Sequence, residues 1–278
     1  TYGKLGAFVQ SLGGQLEAKQ IVGIFGSPGV AMASAAVACV IHGRPFVHLD
    51  PAMPQMVLHN IISELEVSLV VTCQEAAAGH LPGNCKTVDA GALLEAKTDL
   101  VEPIVAASVS PDDPIYLVAT SGTTGRPKCI PVAQDAAYLS YEWRDEFTPY
   151  RPGMRVGIYV FAIWEMFRPL RDGATVCFPT FAELMTPKAL VSFLIANNVD
   201  EMLFTPSALE KALQSLSAED TRDVPLTRII LNGEVVSEAL IAAATEKLPR
   251  AVMWNLYSIC ETHDVSITKV ASHKGTGP

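Results

Sequence analysis

Ile115 to Val132 reads IYLVATSGTTGRPKCIPV, an apolar β-branched run that breaks into a small polar loop, Thr120-Ser121-Gly122-Thr123-Thr124-Gly125-Arg126-Pro127-Lys128. The run has the composition of a buried strand. Its two glycines let the backbone approach an anion closely, its hydroxyls can donate to phosphate oxygens, and Lys128 supplies a point charge. Composition alone leaves open a solvated turn between two strands. The loop is not one of the common nucleotide motifs, because neither G-x-x-x-x-G-K-[S/T] nor G-x-G-x-x-G occurs in the chain.

On both sides of this stretch short apolar runs alternate with helical patterns. Upstream, Tyr2–Leu16 is spaced as an amphipathic helix weakened by Gly13-Gly14, and Ile21–Phe25 reads as a strand. An alanine-rich helix to Val40, a strand Phe46–Leu49, a helix Pro54–Glu66 and a strand Ser68–Thr72 follow, then Lys86–Val88 and a short helix Ala90–Ala96. Downstream, the pattern gives helices at Gln134–Phe147, Ile163–Leu170, Thr186–Ala196, Ser207–Leu216 and Ser237–Leu248. Strands are expected at Arg155–Phe161, Thr175–Phe178, Glu201–Phe204, Arg228–Leu231 and Val252–Leu256. Thr186 is placed as an N-cap with Pro187 in the first turn. Such alternation predicts an α/β fold with mainly parallel sheets covered on both faces by helices. The proline-bearing acidic segment Ser108–Pro114 is the best internal boundary, giving lobes 1–110 and 111–278.

With 278 residues, 49% of them hydrophobic and 18% charged, the chain can bury a substantial core and is not expected to be disordered. A net charge of −9 without a basic run argues against nucleic acid as a partner. The longest small apolar run, Val30–Ile41, is too short to span a bilayer, so no membrane partner is expected. Six scattered cysteines, Cys39, Cys73, Cys85, Cys129, Cys177 and Cys260, form no zinc spacing and read as mostly buried reduced thiols of a cytoplasmic protein.

Four segments, taken in order, resemble one family. The order TSGTTG then RPK resembles the phosphate-binding signature of the adenylate-forming superfamily. Tyr159–Pro179, YVFAIWEMFRPLRDGATVCFP, resembles the substrate-pocket segment of nonribosomal peptide synthetase adenylation domains. Arg228–Glu234 is similar to the strand and turn bordering the adenine, and Asn255–Thr262, NLYSICET, to the motif N-x-Y-G-P-T-E. Upstream, Val47-His48-Leu49-Asp50-Pro51 resembles the family's AYVPLDP segment.

The resemblance implies two stacked α/β lobes, the large N-terminal domain of such enzymes, truncated. It also implies an ATP- and Mg²⁺-dependent ligase that converts a carboxylate to an acyl-adenylate and passes it to a phosphopantetheine thiol on a carrier domain, expected in the same polypeptide. By that resemblance Thr120, Ser121, Gly122, Thr123, Thr124, Gly125 and Lys128 hold the β- and γ-phosphates, and Glu261 coordinates Mg²⁺, with Lys128 and Glu261 the catalytic pair. Tyr257 stacks on adenine, Asn232, Gly233 and Glu234 line its edge, and Asn255 belongs to the same motif. The pocket takes Val160, Phe161, Trp164, Leu203, Ile230, Asn232, Leu256, Asp264 and Val265.

The departures carry information of their own. Val160 stands where members that activate amino acids carry the aspartate for the α-ammonium, and an ammonium desolvated beside valine loses its counter-charge. The expected substrate is therefore a β- or ω-amino acid, whose amine Asp264 could meet, or another carboxylate, rather than a standard α-amino acid. Ser258-Ile259-Cys260 replaces Gly-Pro-Thr, and Cys129 follows the lysine where glycine is common. The chain starts at Thr1 and stops soon after the last motif, so it reads as an excised piece without the small C-terminal domain and its lysine, weak or inactive alone. An acyl- or aryl-CoA ligase is the enzymatic alternative, and a nucleotide-binding pseudoenzyme the alternative of another class.

Overall fold

The computed structural model describes residues 1–17, 20–73, 79–96, 103–120, 128–158, 163–259 and 263–270. It divides into two compact units, Thr1–Leu139 and Ser140–Pro278. The expected division was after residue 110; the strands on either side of the polar loop pair within the sheet of the first unit.

The first unit holds β1 (Val22–Phe25), β2 (Phe46–Leu49), β3 (Leu69–Thr72), β4 (Lys86–Asp89), β5 (Pro114–Thr120) and β6 (Lys128–Ala133), in the order β4-β3-β1-β2-β5-β6. Every pairing is parallel except β5 with β6. Around it lie α1 (Tyr2–Gly13), α2 (Val30–Ile41), α3 (Gln55–Glu64) and α4 (Ala90–Glu95). The α1 helix stops where Gly13-Gly14 predicted weakness. Gly13 has a tertiary reason too, since a Cβ there would sit 2.2 Å from the His42 ring. The run of small residues in α2 is buried from Met32 to Ala36 and at Ala38 and Cys39, which allows close packing.

A helix α5 (Gln134–Asp145) straddles the division between units. The second unit holds β7 (Arg155–Gly157), β8 (Thr175–Cys177), β9 (Glu201–Phe204), β10 (Arg228–Asn232), β11 (Val252–Ile259) and β12 (His263–Lys269), in the order β12-β11-β10-β9-β7-β8. Again a single pair, β11 with β12, is antiparallel. The expected strand Arg155–Phe161 is seen only as β7, and 159–162 lie outside the described residues. The expected helix from Ile163 begins as a 3-10 turn, Ile163–Met166, and continues as α6 (Phe167–Arg171). Elements with no range assigned from the sequence include β6, β12 and α7 (Phe181–Met185), which carries a reciprocal capping box between Thr180 and Glu183. In α8 (Pro187–Ala196), Pro187 opens the helix as expected but Thr186 makes no capping bond. Helices α9 (Pro206–Gln214) and α10 (Glu238–Lys247) complete the unit.

Alternation sorts the two faces of the second sheet. Met202, Phe204, Ile229, Leu231 and Met253 enter the main core beneath α8, α9 and α10. Leu203, Ile230 and Leu256 point the other way and form a separate small cluster with Trp254 and Ile267. Of the cysteines, Cys39 and Cys177 are buried and Cys73, Cys85 and Cys129 partly so. Burial pushes the Cys39 and Cys73 thiols up to about 12, consistent with inert packing groups.

Candidate active site

In the first unit the site rests on the β5–β6 hairpin. Thr120 pairs with Lys128 across its open end, so the two residues flank 121–127 and fix where that loop leaves the sheet. Ser121, Gly122, Thr123, Thr124 and Gly125 lie outside the described residues, while Lys128 is exposed at the first position of β6. An exposed lysine beside a hydroxyl-rich loop is a compact point charge placed to meet an anion.

In the second unit the candidate residues gather on the face opposite the main core. Leu203, Ile230 and Leu256, from three adjacent strands, form its apolar floor. Asn232, 8% exposed, stands at the end of β10, and its Nδ2 donates to Leu256 O and to Ser258 Oγ, both at 2.9 Å. A carbonyl oxygen only accepts, so the amide nitrogen must face Leu256 O and both of its hydrogens are committed. What Asn232 has left for a ligand is the acceptor Oδ1. Ser258, one of the departures from the family motif, thus has a structural task at this corner.

Asp264 reaches the same face through an irregularity. Tyr257 pairs with Ser266 but Ser258 pairs with Asp264, which leaves Val265 as an extra, unopposed residue. Such a bulge re-aims the residues that follow it. Asp264 is brought opposite Ser258, with 3% of its side chain exposed, while Val265 is 49% exposed and stands outside the apolar cluster. The turn into β12 places His263 at φ 64°, a left-handed conformation unusual for a side chain bearing a Cβ.

The surroundings of Asp264 come from distant parts of the chain. Ser140 Oγ donates to its Oδ2 at 2.6 Å, and Arg144 Nη1 lies 3.5 Å from the same oxygen. Arg144, fully buried, also donates to both oxygens of Glu165 at 2.6 and 2.7 Å. Burial pushes the Asp264 carboxyl up, but His263, whose Nδ1 is 3.8 Å away, together with Arg144 and Ser140, outweighs burial and holds it at about 2. Asp264 is therefore an anion across the physiological range. Burial likewise works against the Arg144 charge, and Glu165 and Asp264 raise it above the ordinary range. Trp164 sits on the 3-10 turn beside Glu165, its carbonyl accepting from Tyr141 Oη at 3.4 Å. Val160, Phe161 and Glu261 lie outside the described residues. Among the described residues no cluster of three metal-ligating side chains occurs.

The residues assigned to the adenine divide by environment. Tyr257 is 56% exposed, leaving its ring available for stacking, and Asn255 is half-buried on the neighbouring turn of the strand's pleat. Gly233 has φ 88°, so the chain leaves β10 through a turn that favours glycine. Glu234 is anchored, its two oxygens accepting from Ser207 N and Ser207 Oγ, each at 2.8 Å, in the first turn of α9. A carboxylate at a helix N-terminus is stabilised by the unpaired N–H groups there.

Ser140, Arg144, Glu165 and Ser207 belong to this architecture, and no sequence motif assigned them a site role. Glu165 lies inside the pocket segment Tyr159–Pro179, but nothing local distinguishes it from a solvated helix-start acid. Among the described residues no helix is long and apolar enough to cross a membrane.

A family model described as AMP-binding enzyme matches residues 1–276. Over 276 residues the chain is 32% identical to glycine betaine reductase ATRR of Emericella nidulans, an alignment covering 96% of this chain and 21% of that protein. It is 24% identical over 254 residues to a D-alanine–D-alanyl carrier protein ligase of Listeria innocua, covering 89% of this chain and 50% of the relative. The nonribosomal peptide synthetase FmoA3, solved with α-methyl-L-serine-AMP bound, shares the fold at TM-score 0.84 and 19% identity, over 98% of this chain and 31% of that one.

Proposed function

Because this chain belongs to the AMP-binding enzyme family, whose relatives support activation of an acid by adenylation, we propose that its acid is a zwitterion whose cationic nitrogen is met by Asp264. The acyl group then passes to the phosphopantetheine thiol of a carrier domain. In the first step a carboxylate oxygen of the acid attacks the α-phosphorus of ATP, the bond to the bridging oxygen breaks, and pyrophosphate leaves. The loop from Thr120 to Lys128 neutralises the β- and γ-phosphates, lowering the charge that resists attack. Glu261 supplies a hard oxygen ligand for Mg²⁺. Tyr257 stacks on the adenine while the anchored Gly233-Glu234 turn lines its edge.

The observation that carries the choice of acid is Asp264, an ionised carboxylate on the face that holds the apolar cluster of Leu203, Ile230 and Leu256. Alongside it Asn232 offers only an acceptor oxygen. Both favour a cation over a neutral or anionic substituent. Val160 adds that a primary α-ammonium finds no carboxylate at the family's usual position. The relative with 32% identity is named for glycine betaine, whose nitrogen is a quaternary cation without N–H groups. Such a group asks for negative potential and apolar walls rather than hydrogen-bond acceptors.

The test is ATP–pyrophosphate exchange by the full-length protein with a panel of acids. Glycine betaine and β- or ω-amino acids are expected to support exchange. Its neutral carbon isostere, 3,3-dimethylbutanoate, is expected to fall about tenfold or more in kcat/KM, the equivalent of losing one moderate charge interaction. Preference for ordinary α-amino acids would overturn the choice of acid. Release of a free coenzyme A thioester, with no acyl group on a carrier, would overturn the acceptor.

A further inference from the structure

A carboxylate set into the face made by Leu203, Ile230 and Leu256 needs a counter-charge to stay ionised. It also needs one that does not cancel it, since a neutral ion pair has little left for a substrate cation. The geometry around Arg144 meets both conditions. Its Nη1 lies 2.6 and 2.7 Å from the two oxygens of Glu165 but 3.5 Å from Asp264 Oδ2, so the guanidinium is engaged mainly by Glu165. One arginine shared by two carboxylates leaves the cluster with one negative charge. Arg144 is fully buried, its Nε and Nη2 have no hydrogen-bond partner, and Glu165 is 6% exposed, so neither is a solvated surface group.

We infer that Arg144 and Glu165 form a neutral bracket that positions Asp264 and leaves its charge uncancelled, making Arg144 and Glu165 the specificity-positioning residues for a cationic acid. The inference rests on the reading that Asp264 meets the nitrogen of the acid. Ser140 completes the bracket by donating to Oδ2, the oxygen that also faces Arg144. The groups that set the field at Asp264 are His263 from its own strand and Arg144 from α5, while Glu165 from the 3-10 turn and Tyr150 act on Arg144.

The experiment compares, in the full-length protein, kcat/KM for pyrophosphate exchange with glycine betaine and with 3,3-dimethylbutanoate, using Ki where an acid does not turn over. The readout is the ratio between the two acids, which a general loss of packing leaves unmoved. Glu165→Gln is nearly isosteric; by removing one carboxylate it lets Arg144 cancel Asp264, and the ratio is expected to fall about tenfold. Arg144→Met is expected to lower the ratio similarly by releasing Asp264 from its place, and Arg144→Lys to restore it to within about threefold of wild type, because the charge returns without the fork. If Arg144→Met does not fold, Glu165→Gln decides. Should Asp264→Asn lower the ratio while Glu165→Gln and Arg144→Met affect both acids equally, the bracket is only structural and the inference is overturned. If Asp264→Asn leaves the ratio unchanged, or the wild-type ratio is not above one, the substrate reading itself fails.

Discussion

Each sheet ends in one antiparallel pair, and both pairs carry candidate site residues, yet by opposite physics. The β5–β6 edge presents an exposed Lys128 at the mouth of a loop whose chemistry is written in consecutive residues. The β11–β12 edge presents a buried Asp264 whose direction depends on a bulge and whose charge depends on His263, Arg144 and Ser140. An anion such as polyphosphate can be met by exposed donors, because the ligand brings the charge. A cation-binding carboxylate on an apolar face must be assembled in advance, with its own counter-ions in place.

The sharpest way to break the contrast is Arg144→Met. Removing one partner of a buried ion pair leaves charge uncompensated, and the expected loss is about 3–5 kcal/mol of unfolding free energy, measured by denaturant titration. A loss under about 1 kcal/mol would mean the second edge is no more preassembled than the first. At the first edge the effect should appear in turnover. Lys128→Ala is expected to lower kcat/KM for pyrophosphate exchange about 100-fold, comparable to removing one charge-stabilising donor.

Linkage gives a third test. The Asp264 carboxyl is depressed from 3.8 to about 2, so its stabilising contribution is present above about pH 4 and is lost as pH falls through 2. Asp264→Asn is then expected to cost about 2 kcal/mol near neutral pH, with the difference from wild type shrinking as pH drops from 4 toward 2. A difference independent of pH would show that packing, not charge, holds the residue. The smallest effect is expected at the adenine-lining turn: Glu234→Ala removes the carboxylate from the N-terminus of α9, costing at most about 1 kcal/mol. It should raise KM for ATP about threefold while kcat holds, because the turn orients the nucleotide without meeting the reacting atoms.

Most of the architecture could be read from the chain. Alternating strand and helix patterns gave the α/β class, and α1 ended at the glycine pair that weakened it. The proline-bearing segment Ser108–Pro114 reads locally as a boundary, whereas β2 pairs with β5, and β5 with β6, within the first sheet. The β12 strand escaped notice because only Val265 and Ile267 of His263–Lys269 are apolar, a two-residue alternation too short to mark a strand. Among the candidate site residues, Leu203, Ile230 and Leu256 share one apolar cluster. Val265 was grouped with them by position in a motif, but the bulge sets it outside that cluster.

By itself, then, the sequence determined what neighbouring residues determine: strand and helix periods, the hydroxyl- and glycine-rich loop ending in Lys128, and the order of motifs that marks the family. Only the tertiary structure decided that Asp264 turns toward the apolar face, that Asn232 offers an acceptor alone, and that Arg144 is held between two carboxylates. The physical reason is range. Periodicity and turn chemistry act over a few residues, whereas the bond from Ser140 to Asp264 joins positions 124 apart in the chain. The charge of a buried carboxylate is settled by whatever the fold brings within a few ångströms of it.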